Sequence, residues 1–123
     1  MRAVKIYFAD LTHTARGISA NTFPLGVSFV LSYAKSQLDA RFEFSLFKFP
    51  KDLAAAFRHN VPAILCLSSY SWNFELAYKI ATLAKARDPR LITIFGGPNF
   101  PTLLEEISEF LGRRPAIDFY VQL

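Results

Sequence analysis

Three short polar segments of this 123-residue sequence carry the side chains that could hold a ligand. The first places a carboxylate, a hydroxyl and an imidazole before a glycine, the second is rich in hydroxyls, and the third joins two glycines to a proline. In chain order the residues are Asp10, Thr12, His13 and Gly17, then Ser68, Ser69 and Tyr70, then Gly96, Gly97 and Pro98. Hydroxyls can bond a buried polar group, and paired glycines let a ligand approach the backbone closely. Each segment also has a plainer interpretation, because short polar stretches commonly cap helices, close loops or form tight turns.

The elements predicted around these segments indicate how they would be positioned. Five short apolar runs rich in β-branched and aromatic residues alternate with stretches of helical period, which is typical of β-α-β units. The predicted strands cover residues 3–8, 42–48, 62–68, 91–96 and 117–121, and the predicted helices cover residues 24–38, 51–58, 73–87 and 100–111. The sequence therefore predicts an α/β, flavodoxin-like (Rossmann-like) three-layer sandwich with a five-stranded parallel sheet in the order 2-1-3-4-5.

A parallel sheet of this kind predicts where a ligand would bind. The site lies beyond the carboxyl ends of the strands, at the point where the strand order reverses. That rule selects the loops at residues 9–23, 68–72 and 96–99, which contain the three polar segments. The first loop has about 15 residues, whereas strand-to-helix loops usually have roughly 2–6, and long loops in compact domains are often functional.

The composition limits the classes of function. The length and the 52% hydrophobic content suit one domain, residues 1–123. The net charge is +4, but the basic residues are scattered, so nucleic-acid binding has little support. The single cysteine, Cys66, lies in an apolar run, and neither a signal peptide nor an apolar stretch of about 18 residues is present. We therefore expect a cytoplasmic protein with no membrane partner.

The three polar segments together resemble the signature of the cobalamin-binding domains of methionine synthase and the cobalamin mutases. In that family an Asp-x-His-x-x-Gly loop supplies a histidine ligand to cobalt, and Ser and Gly-Gly elements line a tunnel for the displaced nucleotide tail. Here two residues separate Asp10 from His13 where the family has one, Gly17 is also one residue late, and Tyr70 stands where the family has Leu. These departures put cobalt ligation by His13 in doubt.

A closer resemblance is to the N-terminal domain of cobalamin-dependent radical S-adenosylmethionine (SAM) enzymes, the class that includes the magnesium-protoporphyrin oxidative cyclase. The similar phrases are Asp10-Leu-Thr, Pro24-Leu-Gly26, Leu67-Ser-Ser69 and Phe95-Gly-Gly-Pro98. The resemblance implies a base-off, metal-containing cobalamin without a histidine ligand, with its tail between the 68–71 turn and Gly96-Gly97.

The same resemblance implies a larger polypeptide. In that class a downstream radical SAM domain holds an iron-sulfur (4Fe-4S) cluster on three cysteines and uses S-adenosyl-L-methionine, whereas this chain has only Cys66. Residues 1–123 are thus expected to be an N-terminal fragment that binds the cofactor and works with the downstream domain of the same chain. Alone it would not carry out the radical chemistry or methyl transfer.

Other flavodoxin-like functions fit less well. A phosphorelay receiver needs an Asp at the end of the third strand, where this sequence has serines, and a dinucleotide-binding domain needs a G-x-G-x-x-G that is absent. An FMN binder would run its phosphate loop directly into the first helix, whereas the loop here has about 15 residues. A non-catalytic domain-interaction module stays open, because Leu25, Phe29 and Tyr33 form a second apolar stripe on that helix.

Overall fold

The computed structural model describes residues 2–12 and 24–122, and this part of the chain forms a parallel sheet between two layers of helices. The strands are β1 (Val4–Ala9), β2 (Phe42–Phe47), β3 (Ile64–Ser68), β4 (Ile92–Gly96) and β5 (Phe119–Val121). The helices are α1 (Leu25–Gln37), α2 (Pro50–His59), α3 (Phe74–Arg87) and α4 (Leu104–Gly112). All strand pairs are parallel and the order is β2-β1-β3-β4-β5, which confirms the predicted fold class.

The helices divide unequally between the two faces of the sheet. The larger core cluster packs α2, α3 and α4 against one face, with fully buried side chains such as Leu53, Ala77 and Phe95. The smaller cluster packs α1 against the other face through Val27 and the half-buried Leu31. Right-handed crossovers explain this division, because only the β1-to-β2 connection runs in the opposite direction across the sheet. No helix in the described residues is long and apolar enough to span a membrane.

Side chains of β3 alternate between the two faces, as its apolar run predicts. Leu65 and Leu67 are buried in the larger cluster, whereas Cys66 belongs to the face that α1 covers. Helix α1 lies over β1 and β2, so its face of the sheet is less covered at β4 and β5. Phe119 and Val121 of β5 are therefore 61% and 55% exposed.

Several predicted details differ in the structure. The helical spacing of Val30 and Leu38 with Val27 predicts one shared buried face, but Val30 and Leu38 are 58% and 41% exposed, because α1 covers only part of the sheet. Helix α4 begins at Leu104 instead of Phe100, and the Phe100 ring stacks on Tyr120 with centroids 3.8 Å apart. A glycine at the end of the predicted helix 100–111 would commonly stop it in a left-handed conformation, but Gly112 is the last residue of α4 and has no positive φ.

Candidate functional site

A cavity of about 430 Å³ opens at the carboxyl ends of the strands, between the sheet and the first turns of α1. Its lining is mainly apolar, and Ser68 and Tyr70 contribute the hydroxyl groups. The lining residues are Phe8 of β1; Gly26, Val27 and Val30 of α1; Cys66, Leu67, Ser68 and Tyr70 on or after β3; Ile94, Phe95, Gly96 and Gly97 on or after β4; and Val121 of β5. The cavity therefore lies at the edge of the sheet that the topology rule selects.

Two glycines keep opposite walls of this cavity free of side chains. A Cβ on Gly26 of α1 would find its nearest neighbour, the Tyr70 hydroxyl, 3.9 Å away. A Cβ on Gly96 of β4 would meet the Val121 carbonyl oxygen at 3.9 Å. Both distances are ordinary van der Waals contacts, so either site has room for a small side chain. We call the space between Gly26 and Gly96 the glycine slot.

Gly97 lines the cavity and also allows two turns to approach each other closely. Its φ is +123°, and a Cβ built there would lie 2.5 Å from the Ser69 carbonyl oxygen. The two turns approach so closely because the Ser69 amide donates to the Gly96 carbonyl at 2.7 Å and the Asn99 amide donates to the Ser69 carbonyl at 3.2 Å. Gly97 is therefore required for backbone packing, and any side chain there would push the two turns apart.

The structure brings some of the sequence-predicted residues to the cavity and places others elsewhere. Ser68, Tyr70, Gly96 and Gly97 line it. Asp10 and Thr12 follow β1 without lining the cavity, and Pro98 is exposed. His13 and Gly17 lie outside the described residues.

Ser69 does not line the cavity. It is fully buried and its hydroxyl makes no hydrogen bond of normal geometry to the described residues. Burial raises the pKa of Tyr120, and the nearby Ser69 hydroxyl partly offsets that effect. The Tyr120 hydroxyl donates to the Gly97 carbonyl at 2.9 Å. Tyr120 of β5 thereby helps to hold the turn after β4.

Asp10 follows β1 as a half-buried carboxyl group. Burial raises its pKa, and the Lys48 ammonium and a hydrogen bond from Asn73 partly offset the increase. The Asn73 side-chain amide donates to Asp10 Oδ1 at 3.3 Å and to the Leu11 carbonyl at 3.2 Å. The loop after β1 is thereby attached to the start of α3.

A stacked aromatic pair follows β3, and the sequence interpretation missed half of it. The Tyr70 and Trp72 rings have centroids 4.6 Å apart and planes 6° apart, and Trp72 is 62% exposed. Because Tyr70 also lines the cavity, the pair lies beside its mouth. The signal that could have revealed it is the only tryptophan of the chain, placed in a polar turn at the ligand edge of the sheet.

Cys66 faces the cavity as a neutral thiol. Burial raises the pKa of Cys66 to about 12. No group of three or more His, Cys, Asp or Glu side chains that could hold a metal ion occurs within residues 2–12 and 24–122. The described part of the site is thus suited to an apolar or aromatic group with a few polar contacts.

Comparisons with known proteins find two similar methyltransferases. The chain is 38% identical over 60 residues to 2-(S-pantetheinyl)-carbapenam-3-carboxylate methyltransferase of Streptantibioticus cattleyicolor, and 37% identical over 57 residues to the cobalamin-dependent radical SAM methyltransferase TokK of Streptomyces tokunonensis. These matches cover 49% and 46% of this chain but only 8% of each methyltransferase. The predicted resemblance to cobalamin-dependent radical SAM enzymes is thereby confirmed.

A solved structure supports the same fold. The crystal structure of a cobalamin-binding protein from Desulfitobacterium hafniense superposes with a TM-score of 0.62 at 18% identity, and the match covers 96% of this chain and 52% of that one. No protein-family model matches the chain.

Proposed function

We propose that this chain binds cobalamin at the carboxyl edge of its sheet, as the cofactor-binding part of a larger radical SAM methyltransferase. The glycine slot is the observation that carries the proposal. It opens between α1 and β4 where a flavodoxin-like sheet binds ligands, and its walls lack side chains at Gly26 and Gly96.

The dimensions and chemistry of the cavity fit the nucleotide tail of cobalamin. Its volume of about 430 Å³ lies within the range of small-molecule sites, roughly 300–1,000 Å³. Apolar side chains such as Val27 and Ile94 would contact an aromatic base, and Ser68 and Tyr70 could bond polar atoms of the tail. A tail held here is separated from the cobalt, so the cofactor would be base-off.

The aromatic pair fits the other part of the cofactor. A corrin ring is broad and largely flat, and the exposed face of stacked rings is an apolar surface that such a ring can cover. Tyr70 lies at the cavity and Trp72 beside it, so a tail in the slot would bring the ring near the pair. This arrangement needs no imidazole, which agrees with a cofactor that has no ligand from His13.

The remaining parts of the reaction belong to the rest of the proposed enzyme. Cobalamin, when bound, supplies a cobalt centre able to carry a methyl group. A 4Fe-4S cluster and S-adenosylmethionine would be held by a downstream radical SAM domain, because the three cysteines such a cluster needs are absent from this chain. Residues 1–123 would form one cofactor-binding domain of that polypeptide.

The proposal is tested by closing the slot. Gly96→Val puts a β-branched side chain into the cavity with its Cβ in ordinary contact, while Gly112→Val makes the same change where nothing lies within 4 Å. Equilibrium dialysis against hydroxocobalamin should give saturable binding for the wild type and Gly112→Val, with binding at least tenfold weaker for Gly96→Val. Equal affinities for all three, or no binding by the wild type, would contradict the proposed site.

A further inference from the structure

Asn73 stands at the N-cap position of α3, yet its side chain does not cap that helix. An N-cap side chain normally accepts a hydrogen bond from a backbone amide two or three residues later. In this structure the Asn73 side chain makes no such bond. Its Oδ1 accepts instead from the Tyr70 amide, three residues earlier, at 2.8 Å. The Asn73 side chain therefore stabilises the turn before α3 and not the first turn of α3.

The same side chain joins two loops at the ligand edge of the sheet. While Oδ1 holds the Tyr70 amide, Nδ2 donates to Asp10 Oδ1 and to the Leu11 carbonyl on the loop after β1. Asn73 is fully buried, so these bonds form away from water and both ends of the amide are satisfied. A hydrophobic residue at position 73 would remove the hydrogen bonds that the Asn73 side chain makes to the Tyr70 amide and the Leu11 carbonyl.

The position of the stacked aromatic pair depends on this link. Tyr70 and Trp72 belong to the turn that Asn73 fastens, and Trp72 is mostly exposed. The backbone of this turn and the stack on Tyr70 both contribute to where the Trp72 ring lies. Residues that contact a ligand bind well when supporting hydrogen bonds fix them in the productive geometry.

We propose that Asn73 is a positioning residue that fixes the Tyr70–Trp72 pair against the loop after β1, so that the pair presents its face to the bound cofactor. This inference rests on the proposed cobalamin binding. We therefore expect loss of the Asn73 link to weaken cobalamin binding more than loss of a buried hydrogen bond elsewhere in the fold does.

The test replaces the hydrogen-bond donor of the Asn73 side chain with an acceptor. Asn73→Asp keeps an oxygen to accept from the Tyr70 amide, but it replaces the donor with a carboxylate beside the Asp10 carboxyl and the Leu11 carbonyl. Two carboxyl groups this close cannot both ionise easily, so one takes up a proton as the pH falls. Adding Asp10→Asn supplies an amide that can donate to the new carboxylate.

The affinity for hydroxocobalamin should follow this logic. At pH 8 we expect Asn73→Asp to bind at least tenfold more weakly than the wild type, to recover toward pH 5, and to return to within about threefold when Asp10→Asn is added. In the protein without cofactor, acrylamide should quench the single tryptophan, Trp72, more readily in Asn73→Asp. If Asn73→Asp does not fold, Asn73→Ser, which deletes the bonds without adding charge, takes its place in the affinity and quenching comparisons with the wild type, with neither recovery toward pH 5 nor rescue by Asp10→Asn expected.

Thr93→Val separates positioning from stability. Thr93 is also fully buried and hydrogen-bonded, to the Ala116 carbonyl, but it lies on the opposite face of the sheet from the cavity. Cobalamin binding by the wild type and Thr93→Val, with loss in Asn73→Asp and rescue in the double variant, supports the inference. Equal affinity of Asn73→Asp and wild type, or equal losses in Asn73→Asp and Thr93→Val, overturns it. Absence of binding by the wild type would refute the proposed function itself.

Discussion

Replacing Gly97 by alanine should destabilise the protein much more than replacing the adjacent Gly96. Gly97 has a φ of +123°, and a non-glycine residue held in such a region costs roughly 1–3 kcal/mol. The new Cβ would also lie 2.5 Å from the Ser69 carbonyl oxygen, so the turn after β4 must move. That movement strains the hydrogen bonds between Ser69 and the Gly96 carbonyl and between Ser69 and Asn99, each worth about 1 kcal/mol.

These contributions predict a loss of about 2–4 kcal/mol in the free energy of unfolding for Gly97→Ala. Gly96→Ala should stay within about 1 kcal/mol of the wild type, because its Cβ would be 3.9 Å from the Val121 carbonyl oxygen and alanine reduces the backbone freedom lost on folding. Urea unfolding followed by circular dichroism, without cofactor, measures both. A difference between the two variants of less than about 0.5 kcal/mol would refute the assignment of Gly97 to backbone packing.

Further predictions concern three single residues, Cys66, Gly112 and His13. Cys66 has a pKa of about 12, so at pH 8 its thiolate fraction is about one in ten thousand. Iodoacetamide should therefore label it at least a hundredfold more slowly in the folded protein than in urea, and rates within tenfold would count against the buried thiol. The same raised pKa means that the stability contributed by the neutral thiol is complete below about pH 9 and is lost as the pH rises toward 12. Gly112→Ala should raise the free energy of unfolding by about 0.5–1 kcal/mol, because Gly112 ends α4 without a positive φ and with nothing near its Cβ position; a decrease seen by thermal unfolding would show that the helix end needs glycine. His13→Ala should leave the affinity and the visible spectrum of bound cobalamin nearly unchanged, whereas a tenfold loss, about 1.4 kcal/mol, with a shifted cobalt spectrum would indicate a histidine ligand.

Sheet topology could be predicted because its determinants are local and repetitive. The continuous apolar runs of β3 and β4 are long enough to be recognised without knowing their neighbours, and the intervening helical periods specify parallel connections. The carboxyl edge of the sheet then locates the ligand loops, so Ser68, Tyr70 and Gly96 could be identified from the sequence as candidates.

Details that depend on contacts between distant segments could not be predicted. The need for Gly97 arises from the approach of Ser69, which is 28 positions earlier and comes close only in the folded sheet. An asparagine directly before a helix commonly caps it, but the Asn73 side chain bonds Asp10 and Leu11 on another strand-end loop, which only the folded sheet brings near. Trp72 is an exposed aromatic residue of a polar turn, and only the parallel stack with Tyr70 shows its place at the site.

The central claim is that this chain holds base-off cobalamin, and a visible-absorption titration of hydroxocobalamin with the purified protein tests it most directly. We predict a saturable spectral change with one cofactor per chain, in which the base-on absorption is lost as the nucleotide tail enters the glycine slot between Gly26 and Gly96. Base-on absorption that stays unchanged at saturating protein would contradict the account.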